Sequence, residues 1–455
     1  MFNPDFTRPE RLGHGAYGTV FSYKKEQAVK IMIMDSWDKL QSCMREIHAL
    51  RQLSIVKSKA YVALKRVKYL SRYKKMHIFM DRADGNLKSI SFKDVSAKTI
   101  ENYAIQLFTG LFEMRKHRLF HRDIKPENIL VDLKQSKVFY CDFGLSRQFH
   151  DDDVEYGTGY IVTRWYRSPE LLRHQKTHQR KANLHYTEKM DVWSIGTILY
   201  ELIFQTPVAP GETIEDALVL IDRRLNPLNR KNGVKLSNGK PCIKWDYDTL
   251  IKHEKITEKV AKCLLGCLEI TSNKRYTCLR CLHSLGVLDA ETYMNLFEQG
   301  VESTVQYAPI QPYNSLYYDE DGWKERSSKF AELYKRFSSQ KKVIAYAVVI
   351  YDNTDRLNCS TLQHFCNSVL YSALVLGSYY NSERCNKLIK YACGLYSSYR
   401  EKDFAFDRIC EFSERVTTKY VSLWEKGDLK SFTAFLRSVL EIPKEESNNK
   451  RKRIN

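Results

Sequence analysis

The feature that most constrains this chain is a pair of short motifs in its first third. His121-Arg122-Asp123-Ile124-Lys125-Pro126-Glu127-Asn128 comes first, and Asp142-Phe143-Gly144 begins fourteen residues after Asn128. Asp123, Asn128 and Asp142 offer oxygen atoms, which are the ligands that Mg²⁺ prefers. A carboxylate beside a hydroxyl, together with metal-held phosphates, is what phosphoryl transfer requires. The two motifs therefore predict a phosphoryl-transfer site.

A glycine-rich segment stands upstream of both motifs. Gly13, Gly15 and Gly18 have the spacing of a phosphate-binding loop, because glycine lets backbone amides approach a phosphate without a Cβ atom. Dinucleotide-binding folds share this spacing but continue into a helix. Here Val20-Phe21-Ser22-Tyr23 and Ala28-Val29-Lys30-Ile31 flank a polar turn, which predicts a hairpin. Lys30 would then bind the phosphates.

In order and spacing, these segments resemble the eukaryotic protein kinases, over roughly the first 285 residues. The activation segment, with Thr158-Gly159-Tyr160 ahead of Val162-Thr163-Arg164-Trp165, resembles the group of mitogen-activated and cyclin-dependent kinases. This resemblance implies an α+β, bilobal protein-kinase fold followed by an all-α helical domain. It also implies Mg²⁺ as cofactor, ATP as co-substrate and protein substrates.

The resemblance implies a role for each matching residue. Asp123 would accept the substrate proton, Lys125 would reach the transferred phosphate and mark Ser/Thr specificity, and Thr163 would bridge the two. Asn128 and Asp142 would hold Mg²⁺, and Glu46 would pair with Lys30. The expected ATP-binding residues are Leu12, Gly13, Gly15, Gly18, Val20, Ala28, Lys30, Met80, Asp81 and Ala83.

The same resemblance predicts a switch in the activation segment. Thr158 and Tyr160 would be phosphorylated, and a pocket of three arginines would bind the phosphate; these are Arg45, Arg122 and Arg147. Three unrelated surface arginines are the alternative. The acidic run Asp151-Asp152-Asp153 departs from the family pattern, since its charge would partly fill such a pocket without phosphorylation.

Four further residues have roles implied by the resemblance. Arg164 would shape the pocket for a proline after the target Ser or Thr, which predicts a proline-directed enzyme. Glu170 would pair with Arg275, and Asp191 would brace the backbone of the catalytic loop.

The predicted organisation places a kinase domain at 1–287, with a small lobe at about 1–83 and a large lobe at about 84–287. A linker follows at 288–325. Apolar residues then return at helical spacing, as in Ile344, Ala347, Val348 and Tyr351, and predict a helical module at 326–442 before a basic tail at 443–455.

Two stretches of the helical module, Val343–Asp352 and Leu370–Glu383, resemble a cyclin box. Asn353 stands where that family has arginine, and Tyr379 where it has lysine, so another helical docking module is an open alternative. A cyclin-like module would be an intramolecular activator that completes the pair of Lys30 and Glu46. A kinase domain fused to a divergent helical partner also resembles proteins of large DNA viruses.

The net charge of +19 fits acidic partners or simply a solvated, lysine-rich surface. Lys57–Lys75 interleaves basic residues with Tyr61, Tyr69 and Tyr73, as nucleic-acid patches do. A solvated sheet edge is the favoured interpretation, and nucleic acid is the minor one. The cluster Asn448–Arg453 is equally a nuclear import signal or a frayed charged end.

The twelve cysteines are expected to be reduced thiols. Cys263, Cys267, Cys278 and Cys281 have helical spacings, which favours core packing over a zinc site. No targeting signal is visible at the N-terminus, and the longest apolar stretch, Val343–Tyr351, is too short to span a membrane. These features predict an intracellular protein of the cytoplasm or nucleus, without a membrane partner.

Two functions compete on the sequence. The first is an active protein serine/threonine kinase. The alternative is a catalytically weak pseudokinase scaffold that docks partners through its C-terminal module. The presence of Lys30, Glu46, Asp123, Asn128 and Asp142 together favours the enzyme.

Overall fold

The structure is a computed structural model that describes residues 9–15, 18–54, 59–89, 95–116, 119–148, 164–176, 186–225 and 244–298. It also describes single positions farther on, namely 332, 333, 336, 347, 367–369, 371 and 372.

The first part of the chain forms a five-stranded antiparallel sheet in the order β1-β2-β3-β5-β4. Its strands are β1 (Arg11–Gly15), β2 (Gly18–Lys24), β3 (Gln27–Ile33), β4 (Leu64–Leu70) and β5 (Lys75–Asp81). Strand β4 shows the alternation of a half-buried strand, since Val67 and Tyr69 are buried while Arg66 and Lys68, on the other face, are exposed. The hairpin expected after the glycines is present as β2 and β3.

One long helix, α1 (Trp37–Ser54), belongs to this first part and carries Glu46. Every residue from Ser42 to Arg51 is buried, charged ones included. Burying a charge is costly unless it is paired, so this helix must meet partners on several sides. α1 packs against the short 3-10 turn Phe143–Leu145, and so links the sheet to the second part.

The second part is mainly helical. Its helices are α2 (Ala97–Lys116), α3 (Pro169–Lys176), α4 (Glu188–Phe204), α5 (Ile214–Leu225), α6 (Tyr247–Leu250), α7 (Glu258–Cys267), α8 (Cys278–Ser284) and α9 (Ala290–Glu298). Short strands lie between them: β6 (Gly85–Asn86), β7 (Leu119–Phe120), β8 (Ile129–Asp132), β9 (Lys137–Tyr140) and β10 (Arg147–Gln148). β6, β8 and β9 form one small sheet, and β7 pairs with β10.

The core of the helical part is organised around α4. This helix is apolar nearly all round and buried along most of its length, and it packs against α2 and α7. Cys263, Cys267, Cys278 and Cys281 are fully buried on α7 and α8, as core packing predicts. Burial raises the pKa of the thiols of Cys267, Cys278 and Cys281, which keeps them protonated.

A sheet-bearing part followed by a helical part is the bilobal arrangement expected from the sequence. The positions described beyond residue 330 belong to a second compact unit. They are helical, with Ala347, Val369 and Tyr371 buried. The predicted linker at 288–325 begins too early, because Ala290–Glu298 forms helix α9, which packs on α8. The rest of that linker, the basic tail, and all but a few positions of the cyclin-like stretches and the helical module lie outside the described residues. Across the described ranges, the structure contains no helix with the length and apolarity to cross a membrane.

Candidate active site

The glycine-rich segment forms the hairpin of β1 and β2, which pair around Gly15 and Gly18. A Cβ atom on Gly18 would lie 2.7 Å from the carbonyl oxygen of Ile31, so the packing of β2 on β3 requires glycine there. Packing does not require glycine at positions 13 and 15. Among the described residues, a Cβ on Gly13 meets nothing within 4 Å, and one on Gly15 only reaches Gly18 at 4.0 Å. The absence of side chains at these two glycines suits close approach of a ligand to the backbone.

Lys30 of β3 is the charged centre of the site. Its Nζ lies 2.9 and 2.7 Å from the two carboxylate oxygens of Glu46 on α1, and 3.0 Å from Oδ1 of Asp142. Lys30 and Glu46 are both buried. Three elements that are far apart in sequence therefore converge on one ammonium group.

The electrostatics of this triad follow from burial and pairing. Burial opposes the charge on Lys30, but Asp142 and Glu46 outweigh it and raise the pKa of Lys30. Burial likewise acts against the charge on Asp142, and the nearby Lys30 outweighs it and lowers the pKa of Asp142. Burial raises the pKa of Glu46 to about 7, with Lys30 acting in the opposite direction. Lys30 and Asp142 therefore both carry their charges at neutral pH.

The catalytic loop brings three predicted residues together. Oδ2 of Asp123 accepts hydrogen bonds from Lys125 Nζ at 2.8 Å and from Asn128 Nδ2 at 2.9 Å. Asn128 Nδ2 also donates to the carbonyl oxygen of Asp123 at 2.8 Å. Burial raises the pKa of Asp123, with Lys125 acting against it. The carboxylate is thus held in one orientation, and no described residue donates a hydrogen bond to its Oδ1, which leaves that oxygen for a substrate group.

Asp191 braces this loop from the start of α4. Its carboxylate accepts the backbone N–H groups of His121 at 3.0 Å and Arg122 at 3.1 Å. The Tyr186 hydroxyl donates to the same carboxylate at 2.9 Å. Arg122 has a φ of 69°, a left-handed conformation that is costly for a residue with a side chain. The bonds to Asp191 stabilise that conformation.

Tyr186 is a contributor that the motifs did not predict. Beyond its bond to Asp191, its ring lies 5.2 Å from the guanidinium of Arg122 and 5.2 Å from the ring of Phe120. The only sequence signal is its place five residues before Asp191, at the entry to α4. Arg167 was likewise missed, although it lies in the run that contains Glu170; it lines a cleft with Arg122, Asp123 and Lys125.

Aromatic packing also supports the catalytic loop. The ring of Phe143 is fully buried and lies 4.8 Å from the ring of His121. Nε2 of His121 is 3.1 Å from the carbonyl oxygen of Cys141. Burial lowers the pKa of His121 to about 4, so the ring is neutral at pH 7.

The residues expected around adenine lie where β5 ends. Met80 is buried and is the cross-strand partner of Ala28. Past the strand, the N–H of Arg82 donates to Glu26 and that of Asp84 donates to Val131. Ala83 makes no hydrogen bond within the part of the chain that the structure describes. Its amide is therefore suited to an acceptor on a planar ligand.

Two of the remaining predicted residues have firm partners. Arg275 is fully buried and binds Glu170 through two bonds of 2.7 and 2.9 Å. Arg164 donates from Nη1 to the carbonyl oxygen of Glu212 at 2.9 Å, beside the segment that leads into α5.

The switch predicted for the activation segment is described only in part. Thr158, Tyr160, Thr163 and the acidic run 151–153 lie outside the described residues. Arg45 is buried in α1, Arg122 faces Tyr186, and only the backbone of Arg147 is described, within β10. The phosphate pocket therefore stays a prediction.

The donor set of the site fits Mg²⁺ and the phosphates of ATP. Asn128 and Asp142 supply oxygen ligands, and the amide oxygen of Asn128 accepts no hydrogen bond from described residues. Two protein oxygens suit Mg²⁺, which keeps phosphate oxygens and waters as its other ligands. Over the described stretches, His, Cys, Asp and Glu side chains nowhere gather in threes as metal ligands do.

Comparison with known proteins gives one family. The family model for the protein kinase domain matches residues 6–285, more than half of the 455 residues. The chain is similar to cyclin-dependent kinase-like 4 of Mus musculus, with 30% identity over 296 residues that cover 60% of this chain and 80% of that protein. It is also 30% identical to cyclin-dependent kinase-like 2 of Homo sapiens over 311 residues, 65% of this chain and 60% of that protein. The match to cyclin-dependent kinase-like 2 of Oryctolagus cuniculus covers 52% of the length of that protein.

Proposed function

Because this chain belongs to the protein kinase domain family, we propose that it transfers the γ-phosphate of ATP to serine or threonine in protein substrates. The serine/threonine preference rests on its cyclin-dependent kinase-like relatives and on Lys125 beside Asp123. We further propose that the enzyme is proline-directed, from the resemblance that places Arg164 at the substrate pocket.

One observation carries the proposal. Lys30 holds Glu46 and Asp142 at 2.7 and 3.0 Å, while Asp123 is oriented by both Lys125 and Asn128. Phosphoryl transfer depends mainly on positioning and on charge stabilisation, and these two groups of residues supply both.

The roles follow from the contacts. Bound Mg²⁺ supplies neutralising charge on the phosphates. Lys30, kept charged and extended by Glu46, binds phosphate oxygens and orients the nucleotide. Asp123 accepts the proton of the attacking hydroxyl on its open carboxylate oxygen, and Lys125 stabilises charge on the transferred group. Asp191 and Tyr186 act indirectly, as positioning residues for the loop that carries Asp123.

Substitution of Asp123 tests the proposal. We expect Asp123→Asn to lower kcat by about 10²–10⁴-fold, because the amide cannot accept the proton. The measurement is phosphate transfer from Mg-ATP to peptides containing Ser-Pro, Thr-Pro, Ser-Ala or Tyr-Pro. Asp248→Asn, an exposed position in α6, is the matched control.

Three outcomes would contradict parts of the proposal. Full transfer by Asp123→Asn would exclude the assigned role of Asp123. Equal use of Ser-Pro and Ser-Ala peptides would exclude the proline preference. Absence of transfer by the unsubstituted protein, with nucleotide binding intact, would favour the pseudokinase scaffold instead.

We propose that phosphorylation of Thr158 and Tyr160 contributes to regulation, on the strength of the sequence resemblance alone. Treatment with a dual-specificity phosphatase should then lower kcat, and Thr158→Ala with Tyr160→Phe should reproduce the loss. If Asp151–Asp153 substitutes for phosphate, the phosphatase will leave kcat unchanged and replacing these aspartates by asparagine will lower it.

A further inference from the structure

The sheet of β1 to β5 has a second face, opposite the one that carries Lys30. On β5 this face presents Lys75, His77 and Phe79, while Met76 and Ile78 point the other way and are buried. Cross-strand pairing places Lys68 opposite His77 and Arg66 opposite Phe79. Lys68 and Arg66 are exposed on the edge strand β4. We call the surface formed by Ile33, Arg66, Lys68, Lys75 and His77 the basic sheet face.

The basic sheet face concentrates positive charge with little compensation. Burial and the three cations Lys75, Lys68 and Arg66 together lower the pKa of His77 to about 4. Within the described ranges no carboxylate pairs with Lys68 or Lys75. The acids at the margin of the sheet are engaged elsewhere, since Asp81 binds Lys65 at 2.8 Å and Glu10 binds Arg82 at 3.1 Å. Like charges held together in this way favour an anionic partner.

Most aromatic residues near this face are not open for stacking on nucleic-acid bases. Of the three tyrosines that suggested a nucleic-acid patch in the sequence, Tyr61 and Tyr69 are buried, and Tyr73, in the turn between β4 and β5, is 51% exposed. Phe79 is covered by the Arg66 guanidinium at 4.0 Å and by the ring of Tyr23 at 4.8 Å. Stacking of successive bases needs several open ring faces, and among these aromatic residues only Tyr73 is exposed.

The basic sheet face also has an apolar component. Ile33 is 49% exposed and is the cross-strand partner of Lys75, which in turn lies opposite Leu70. Neighbouring strands are about 4.8 Å apart, so an aliphatic side chain stands directly beside the cations. An acidic peptide with an aliphatic residue can use both features, whereas a nucleic-acid backbone can use only the charge.

From this combination we propose that the basic sheet face is a docking site for an acidic polypeptide segment with an aliphatic residue among its carboxylates. The partner's carboxylates would contact Lys68, Lys75 and the N–H groups of Arg66 other than the one that donates to the Tyr23 hydroxyl, and its aliphatic side chain would cover Ile33. The site is separate from the phosphoryl-transfer residues, so it goes beyond the proposed activity and is tested without ATP.

The test measures binding of full-length protein to a fluorescein-labelled peptide of repeated Glu-Leu-Glu-Glu by fluorescence anisotropy. The salt concentration is about 0.15 M, at which exposed charges farther apart than the Debye length are screened. We expect Lys68→Glu with Lys75→Glu to weaken binding by about tenfold or more, because two attractive contacts become repulsive. Lys134→Glu with Lys252→Glu makes the same change of net charge at exposed large-lobe positions and should alter binding less than about twofold.

Two further measurements separate the contributions. Ile33→Ser should weaken the leucine-containing peptide severalfold and leave an all-glutamate peptide unchanged. Single-stranded oligo(dT) of equal charge should bind more weakly than the peptide. Three results would each overturn the proposal. The two double variants could lose binding equally, or the unsubstituted protein could fail to bind the peptide. The third is that oligo(dT) binds more tightly than the peptide and loses that binding in Lys68→Glu with Lys75→Glu. Thermal unfolding confirms that each variant is folded.

Discussion

At the scale of single residues, the site depends on charges that are buried only because each has a partner. Lys30 is buried with two carboxylates, and Asp123 is held by an ammonium and an amide. Removing one member of such a set leaves the others with an uncompensated charge, which costs far more than the loss of a surface pair. Substitutions here are therefore expected to affect positioning and stability together.

Glu46→Gln tests the positioning of Lys30. The amide keeps the size of the carboxylate but loses the charge that holds Lys30, which then has Asp142 alone. We expect kcat/KM for peptide phosphorylation to fall by about tenfold or more, through weaker orientation of the phosphates. Glu258→Gln on the exposed side of α7 is the control. Unchanged kcat/KM in Glu46→Gln would show that the pair is not needed.

His121 predicts a pH dependence of stability. Its pKa is about 4 in the folded chain against an ordinary 6.5, so the unfolded chain binds a proton in this interval that the folded chain does not. The stabilisation is thus present above pH 6.5 and is lost as the pH falls towards 4, by about 2 kcal/mol at pH 5.

Urea unfolding of the unsubstituted protein and of His121→Phe at pH 7 and pH 5 measures this contribution. The phenylalanine variant should lose about 2 kcal/mol less between the two pH values, because it has no imidazole to protonate. Other titrating groups, such as His77, are common to both proteins and cancel in the difference. Identical pH dependence in the two proteins would contradict the assignment.

At the scale of elements, helix caps and side-chain contacts between elements hold the helical part together. Thr257 and Thr277 cap α7 and α8, each accepting a backbone N–H on its side-chain oxygen. Thr257 also donates to Glu101 of α2 at 2.6 Å, which joins two helices. Arg275 joins the start of α3 to α4 by contacting Glu170 and the carbonyl oxygen of Lys189.

The two threonines form a matched pair. Thr277→Ala should lower the free energy of unfolding by about 1 kcal/mol through loss of the cap. Thr257→Ala should cost about 1–2 kcal/mol more, because the hydrogen bond to the Glu101 carboxylate is lost as well. Denaturant titration of both variants measures the difference, and equal losses would show that the bond to Glu101 adds nothing.

Arg275→Met should destabilise the fold by about 3–5 kcal/mol, because the carboxylate of Glu170 loses its ionic partner. The half-buried carbonyl oxygens of Glu269 and Lys189 lose a donor as well. Arg280→Met, at an exposed position of α8, removes a similar side chain without these contacts and should change stability by less than about 0.5 kcal/mol. A shift of the unfolding midpoint as small as that of Arg280→Met would contradict this role.

At the scale of the whole molecule, the kinase domain accounts for the first part of the chain, and a second compact unit follows. This unit is either an intramolecular activator, as a resemblance to a cyclin box implies, or a docking module. Kinase activity with and without the unit distinguishes the two. A chain ending at residue 320 should have kcat/KM lower by about 5- to 150-fold if activation is in cis. Full activity with weakened partner binding would assign the docking role.

Much of the site was predictable because its chemistry is carried by short motifs. The run from His121 to Asn128, the Asp142 motif and Lys30 after the glycine hairpin identify side chains whose types and order define phosphoryl transfer. Glu46 was predictable as the partner of Lys30 from its place in the order of the motifs. Tyr186 and Arg167 were not, because no motif of their own marks them and their importance arises from contacts with residues far away in sequence.

The sequence by itself determined which functional groups the protein carries, the strands and helices on which they lie, and the family to which the chain belongs. Only the tertiary structure decided which groups meet: that Lys30 joins Glu46 to Asp142, that Tyr61 and Tyr69 are buried while Lys68 and Lys75 share an exposed face with Ile33, and that four cysteines pack in a core. The physical reason is that local spacing governs backbone conformation, whereas burial and pairing depend on long-range packing.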